Sequence, residues 1–344
     1  MQQQVTLDDV AQAAGVSLAT ASRVLNGTTQ VRAELRDRVL AAAAELAYIP
    51  NAHAQALAGA SSRAVGLICH DVSDPYFAGI ARGVMRAATE HNLQVILGST
   101  LRDPAQEIAY VSMMRGQRVR AILLIGSGFE DRDWQEAMRR ELVPYLTAGG
   151  RVAAISRHPG LRVDSVNPEN RAGAAALAQA LVALGHRDFA VLSGPAALTT
   201  VVDRLAGFQD TLTRSGIVLD PDQIVEGSFT RDGGYEAATR LLQAGLRATC
   251  VFALTDIMAV GALAAFRDHG LTVPGDVSLA GFDDIPIVGD LTPPLTTVAI
   301  PLEELGRRAM TMALRPDKST RSRIERVAGT VVLRASTASR SARS

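Results

Sequence analysis

The sequence predicts an all-α helix-turn-helix headpiece followed by an α/β core of two doubly wound parallel-sheet lobes. Three observations carry this expectation. The first 26 residues hold two short amphipathic helices around a glycine turn. From residue 64 onward, short apolar runs alternate with amphipathic helical stretches, the rhythm of parallel strands with helical crossovers. That rhythm occurs in two successive sets, and 344 residues give room for two or three domains.

Thr6 with Asp9 three residues later forms a capping box, which starts the first helix at Leu7. Leu7, Val10, Ala11 and Ala14 fall on one apolar stripe, and Gly15 supplies the positive φ that ends it. Ser17 is a ready N-cap for a second helix to about Leu25. That helix places Ala21, Val24 and Leu25 inward and Leu18, Ala19, Ser22 and Arg23 outward. Such a short helix, held at an angle by a glycine turn, suits entry into a major groove. After a polar loop at 27–30, a third helix over 32–47 closes the headpiece with Leu35, Val39, Ala42, Ala43 and Leu46. Asn51 can cap a short helix over 52–58, stopped by Gly59. Seven residues cannot hold a helix alone in water, so something must stabilise it, unless the stretch is an Ala-rich linker with Leu57 packed on the core.

In the core, strands are expected at 65–69, 94–97, 121–125, 152–155, 189–192, 249–253 and 277–280. Helices are expected at 76–91, 170–184, 204–215, 233–244 and 256–269. Residues 298–300 read as a crossing strand, 301–314 as a helix returning to the first lobe, and 327–333 as a last strand. Residues 338–344 are polar and low in complexity, and are expected to be disordered. The expected division is headpiece 1–48, linker 49–60, first lobe 61–162 with 296–323, and second lobe 163–295 with 324–337. Ligands of such lobes bind at the C-terminal ends of the strands, here in the cleft between them.

Composition excludes several classes. The chain is 47% hydrophobic and 20% charged, as suits a globular protein with a real core. No run of about 18 apolar residues exists to span a membrane. The start, MQQQVTLDDV, has neither the basic nor the apolar region of a signal peptide, so the cytoplasm is the expected location. Cys69 and Cys250 are expected as buried thiols, and no Cys/His cluster has metal-ligand spacing. No metal or cofactor is therefore expected. Enzyme motifs are poor: GSGFED (126–131) lacks the third glycine of a dinucleotide loop, and Lys318 is the sole lysine, outside any P-loop. No catalytic residue is assigned. Net charge is zero, and the first 60 residues are one charge negative, which predicts modest non-specific affinity for nucleic acid.

The blocks VTLDDVAQAAGVSLATASRVLNG (5–27) and AELAYIPNAHAQALAG (44–59), at this spacing, resemble the LacI/GalR family of bacterial repressors, and the likeness extends to about Thr337. The resemblance implies a core of periplasmic-binding-protein type and a homodimer bound to a pseudo-palindromic operator with a kinked central step. It implies DNA contacts from Thr6, Ser17, Leu18, Ala19, Thr20, Ser22, Arg23 and Asn26. The hinge helix would add Asn51, Ala54 and Leu57, with Leu57 wedged into the minor groove. It further implies a small-molecule effector, sugar or sugar acid first, held by Asp74, Tyr76, Phe77, Ser156, Pro168, Arg204, Phe229, Thr255, Asp256 and Asp283. Arg204 would fork onto ligand oxygens, Phe229 would stack on the ligand, and Asp283 would accept from its hydroxyls. Four positions depart from the family pattern. Arg32 replaces a Ser cap and Leu35 a Thr; Thr255 replaces an Asn, and Pro168 an apolar or aromatic residue. The last two sit at ligand positions, so the effector need not be a common family sugar. The competing class is a solute-binding protein without a gene-regulatory role; the headpiece and the missing signal peptide argue against it.

Overall fold

The structure is a computed structural model that describes residues 5–26, 31–48, 62–315 and 321–340. Its backbone divides into two compact units, Met1–Arg63 and Ala64–Ser344.

In the first unit, helices α1 (Leu7–Ala14), α2 (Leu18–Asn26) and α3 (Ala33–Glu45) enclose a core of Val10, Ala11, Ala14, Ala21, Val39, Ala42 and Ala43. The capping box forms as the sequence requires: Thr6 Oγ1 accepts from Asp9 N, and Asp9 Oδ2 accepts from Thr6 N at 2.8 Å. Gly15 ends α1 at φ 63°. The guanidinium of Arg38 on α3 donates to the carbonyls of Ala14 and Gly15, which satisfies acceptors that α1 leaves open. Arg32, standing where a Ser cap was missing, gives α3 no side-chain cap. The loop at 27–30 and the expected hinge helix, with Asn51, Ala54 and Leu57, lie outside the described residues.

The second unit begins with β1 (Ala64–Cys69), α4 (Pro75–Glu90), β2 (Gln94–Ser99), α5 (Pro104–Gly116), β3 (Ala121–Ile125), α6 (Arg132–Thr147) and β4 (Arg151–Ile155). The chain continues through β5 (Asp164–Pro168), α7 (Asn170–Ala183), β6 (Phe189–Ser193), α8 (Thr199–Arg214), β7 (Ile224–Glu226), α9 (Arg231–Gln243) and β8 (Cys250–Ala253). It ends with α10 (Asp256–Asp268), β9 (Ser278–Ala280), β10 (Thr297–Ala299), α11 (Leu302–Leu314), β11 (Ile324–Val327) and β12 (Thr330–Val332). The first lobe is a six-stranded sheet in the order β11-β5-β4-β3-β1-β2; the second is a four-stranded sheet, β7-β6-β8-β9. All neighbours in both sheets run parallel. Central strands such as β3 and β6 are buried along their whole length, which explains their unbroken apolar runs.

Three expectations need correction. Residues 163–168 and 324–327 were assigned to the second lobe, yet β5 pairs with β4 and β11 with β5, so both strands lie in the first lobe's sheet. DSVNP is short and polar and ends in proline, so it carries little strand signal; as the second strand from the sheet edge it needs only modest apolar content. The single strand expected at 327–333 is two strands. Gly329 separates them: β11 belongs to the large sheet, while β12 pairs antiparallel with β10. Of the expected disordered tail, residues 338–340 are ordered: Arg340 N donates to Leu184 O at 2.7 Å and Ala338 N to Ser278 Oγ at 3.2 Å. Residues 341–344 lie outside the described set, as does Lys318.

The return helix α11 packs on α4 in the first lobe. A Cβ on Gly83 would stand 1.9 Å from Glu303 O, and one on Gly306 would stand 2.0 Å from Ile80 O. The two backbones therefore touch only because both positions are glycine.

Candidate functional site

Two surfaces follow from this architecture. In the headpiece, α2 turns Leu18, Ala19 and Arg23 to solvent and leaves Leu18 50% exposed. A single exposed leucine is ordinary on a protein surface, so Leu18 counts here only together with Ala19 and Arg23 on the same exposed face. Ser17 begins the helix by accepting from Thr20 N at 3.2 Å, and the two hydroxyls meet at 2.9 Å. Thr20 and Ser22 are half-buried, and Thr6 has its hydroxyl engaged in the α1 cap. Asn26 closes α2.

In the core, the C-terminal ends of β1, β3 and β4 deliver His70, Gly126, Ser127 and Ser156 to one side of a cavity. Asp74, Tyr76 and Phe77 join them from the start of α4, and Arg102 from the turn before α5. The second lobe contributes Thr200 and Arg204 from α8, Phe229 from the loop before α9, Thr255 from the turn after β8 and Asp283 from the turn after β9. The space enclosed is about 30 Å³. That is room for about two waters, so a sugar-sized ligand requires the lining to move apart.

The polar groups of this cavity are paired within each lobe. Arg204, only 2% exposed, donates Nη2–H to Asp283 Oδ1 at 2.6 Å, Nε–H to Asn170 Oδ1 at 2.9 Å and Nη1–H to Leu254 O at 2.6 Å. Its guanidinium also lies 3.8 Å from the Phe282 ring centroid. Burial pushes the Asp283 carboxyl above the ordinary carboxylate range, with Arg204 pulling it back. On the other wall, Arg102 reaches Asp71 and Asp74, each at 3.4 Å, and burial raises the Asp74 carboxyl. Asp74 also caps α4 by accepting from Tyr76 N at 3.0 Å. His70 is pushed down to about 3, chiefly by burial and then by Arg102 and His158, so its imidazole is neutral. Its Nε2 is buried without a partner.

The backbone at this cavity is strained in a consistent way. Arg102, Ser156 and Asp283 hold φ of 64°, 80° and 118°, and Gly126 holds 139°. Non-glycine residues in such regions cost on the order of 1–3 kcal/mol each and cluster at ligand sites. Gly126 is required twice over, because a Cβ there would stand 2.8 Å from His70 Cε1.

A seam beside the cavity joins the lobes. Phe129 and Leu198 form an antiparallel bridge, flanked by Glu130 N to Ala197 O at 2.8 Å and Thr199 N to Gly128 O at 3.0 Å. Ser127 Oγ donates to Thr200 Oγ1 at 2.6 Å. Arg157 clasps Glu130 of the first lobe at 2.8 Å and Asp203 of the second at 3.2 Å.

Most of the sequence-expected effector residues converge here: Asp74, Tyr76, Phe77, Ser156, Arg204, Phe229, Thr255 and Asp283. Two do not. Asp256 is wholly buried outside the cavity; its Oδ2 accepts from Ile285 N at 3.0 Å and its Oδ1 from Thr297 Oγ1 at 2.6 Å. It anchors the start of α10 to the crossing segment. Pro168 ends β5 and lines a separate outer groove. The expectation that Arg204 forks onto a ligand also changes, since three of its donor directions are spent on Asn170, Leu254 and Asp283. His70, Arg102, Gly126, Ser127 and Thr200 line the cavity without having been foreseen. The signal was present for Gly126 and Ser127, which open the GSGFED stretch right after a strand. It was absent for Arg102, which the fold brings in from a turn.

Among the described residues no group of three or more His, Cys, Asp or Glu is placed to hold a metal ion. Among them, no helix is long and apolar enough to cross a membrane.

Comparison with known proteins gives concordant results. Residues 6–51 match the family description "Bacterial regulatory proteins, lacI family", and residues 178–337 match "Periplasmic binding protein-like domain". The chain is 33% identical over 326 residues to the HTH-type transcriptional regulator DegA of Bacillus subtilis, covering 94% of each chain. It is 34% identical over 310 residues to the transcriptional repressor CytR of Escherichia coli, covering 90% of this chain and 89% of that one. Among solved structures, the Lac repressor dimer bound to operator and the anti-inducer ONPF superposes with a TM-score of 0.84 at 28% identity, covering 98% of this chain and 100% of that one. A complex of the transcriptional regulator CelR with cellobiose gives 0.71 at 30% identity, covering 97% and 100%.

Proposed function

The chain belongs to the lacI family of bacterial regulatory proteins, which are transcriptional regulators and not enzymes, and on that premise we propose how it works. It is a sequence-specific repressor of a carbohydrate or sugar-acid utilisation operon, a homodimer on a pseudo-palindromic operator, acting in the cytoplasm at the nucleoid. Its operator affinity is switched by a small metabolite held between the core lobes. One observation carries the reading: a headpiece whose second helix exposes Leu18, Ala19 and Arg23 shares a chain with a two-lobed core enclosing a polar cavity.

The chemistry of each part follows. Leu18 and Ala19 are small and apolar, fit for thymine methyls, and Arg23 can fork onto a guanine in the major groove. Ser17, Thr20, Ser22, Asn26 and Thr6 would supply phosphate or base contacts. Asn51, Ala54 and Leu57, in the linker, would order on the operator, with Leu57 entering the minor groove at its centre. In the core, Asp74, Tyr76, Phe77, Ser156, Arg204, Phe229, Thr255 and Asp283 would surround the effector. Entry requires the seam to part, so the ligand changes the lobe angle and with it the spacing of the two linkers in the dimer. The coupling is reciprocal: operator weakens an inducer by the factor by which inducer weakens operator.

The test has two stages. Melting temperature is measured against a panel of sugars, sugar acids, sugar phosphates and nucleobases; a ligand at 100 times its Kd adds about 2.7 kcal/mol. Operator sites are then selected from genomic fragments, and their affinity is measured with and without the hit. Leu57→Ala should weaken specific binding far more than non-specific binding. Recovery of no specific site, or equal loss on both kinds of DNA, sinks the reading.

A further inference from the structure

We propose that Arg102 sets effector specificity, and that together with Asp74 it reads adjacent hydroxyls of an uncharged ligand in preference to a carboxylate or phosphate. The proposal rests on the reading of the inner cavity as the effector site and narrows it. The two guanidiniums that line this cavity are not equivalent. Arg204 is spent on three bonds of 2.6, 2.6 and 2.9 Å. Arg102 Nη1 and Nη2 stand 3.4 Å from Asp71 Oδ2 and 3.4 Å from Asp74 Oδ2, and its Nε is buried without a partner. Charge-assisted hydrogen bonds of this kind close to about 2.7–2.9 Å, so both contacts are loose.

Neither carboxylate depends on Arg102 for its position. Asp71 Oδ1 accepts from Ser73 N at 2.9 Å and from Ser73 Oγ at 2.6 Å, while Asp74 Oδ1 caps α4. The backbone that carries Arg102 is strained to present it. Leu101 and Arg102 stand consecutively at φ 52° and 64°, a left-handed conformation that residues with a Cβ seldom hold twice in a row. Thr100 pins the turn: its N–H donates to Cys69 O at 3.0 Å, and its Oγ1 accepts from Arg102 N at 3.2 Å. Leu101 is 75% exposed, so its packing does not offset the strain. What the turn achieves is delivery of a guanidinium to the cavity wall, and strain of this kind collects at ligand clamps.

The chemistry of the pair sets the ligand class. Arg102 offers donors only, and Asp74 Oδ2 beside it offers an acceptor. A hydroxyl both donates and accepts, so two adjacent hydroxyls satisfy guanidinium and carboxylate together. A ligand carboxylate or phosphate brings acceptors alone and sets its charge against Asp74. Asp71 shares the same guanidinium, so this wall holds no positive charge left over to offset an anion.

Isothermal titration calorimetry on the full chain tests this with glucose, galactose and ribose, each beside its charged counterparts: glucuronate, galacturonate, glucose 6-phosphate and ribose 5-phosphate. At least one neutral sugar should bind at least about tenfold tighter than its acid or phosphate, the loss expected from a misplaced charge-assisted hydrogen bond. Arg102→Lys keeps a charge between Asp71 and Asp74 but loses the fork; it should weaken that sugar by about tenfold and leave the ligand-free Tm in place. Arg102→Ala should weaken it further. Monodeoxy analogues of the same sugar then complete a cycle: the analogue that loses most on the unaltered chain should lose little more on Arg102→Ala, because the deleted hydroxyl's partner is already gone. An acid or phosphate that binds as tightly as its neutral counterpart overturns the proposal and leaves the effector site standing, as does a sugar whose affinity is the same in both variants. Absence of heat from every probe removes the reading on which the proposal rests, and the proposal with it.

Discussion

Replacing Arg204 with methionine tests the polar centre of the core directly. The change keeps most of the side-chain volume and removes three hydrogen bonds together with the ring contact to Phe282. It leaves Asp283, Asn170 and the Leu254 carbonyl buried and short of a donor. Removing one partner of a buried ion pair costs about 3–5 kcal/mol, most of it from the charge left behind. At about 2 °C per kcal/mol, suited to a core of this size, the core transition should fall by about 6–10 °C. A second change separates pairing from packing. Asp283→Asn suits the position, because asparagine tolerates positive φ and the backbone there stands at 118°. Combined with Arg204→Met it removes the stranded charge, so the double variant should be more stable than the sum of the singles by at least about 2 kcal/mol. Calorimetric or urea unfolding of all four proteins supplies the cycle. A loss under about 1 kcal/mol in the single variant, or strict additivity, would refute the account of a centre held by mutual pairing.

Two further outcomes are expected. Gly15→Ala forces a Cβ into a residue at φ 63°, 2.9 Å from Arg38 Nη2, and should cost the headpiece about 1–2 kcal/mol. Amide exchange in α1 and α3 would report it, while the core transition stays put; unchanged exchange would mean that Gly15 is not conformationally required. Glu107, buried and with one oxygen unpartnered, has its carboxyl raised by burial from 4.5 to about 8. Between those values the folded chain holds a proton that the unfolded chain has lost, so stability falls as pH rises through that window, on the order of 1 kcal/mol per pH unit. Glu107→Gln should flatten this slope, and an identical pH profile in the variant would show that Glu107 does not cause it.

What could be read from the chain depended on whether local chemistry decided the feature. The α1 cap, the glycine turn and the strands β3 and β6 are written in a few adjacent residues, and their positions followed. DSVNP was passed over because its strand character comes from β4 and β11 on either side, partners about ten and 160 residues away. Asp256 illustrates a different limit. An acid opening a helix after a strand is equally suited to hold a ligand or to tie down its own chain, and here Ile285 and Thr297 take both oxygens. Arg102 and His70 were missed because a neutral buried imidazole and a guanidinium on a turn look like any others until the fold brings them to one wall.

The order of pairing in the first lobe bears on how the protein emerges from the ribosome. Strands β1 to β5 are made early, but α11, which seats its backbone on α4 through Gly83 and Gly306, is translated more than two hundred residues after that partner. The second lobe is thus synthesised entirely within an interval when the first still shows an uncovered helix face and an open sheet edge. A nascent chain stalled before residue 302 would present that apolar face to solvent, a substrate for holding chaperones, whereas the inserted lobe, whose sheet is complete by residue 280, could already be folded. Synthesis of α11 and β11 then closes the lobe that began first.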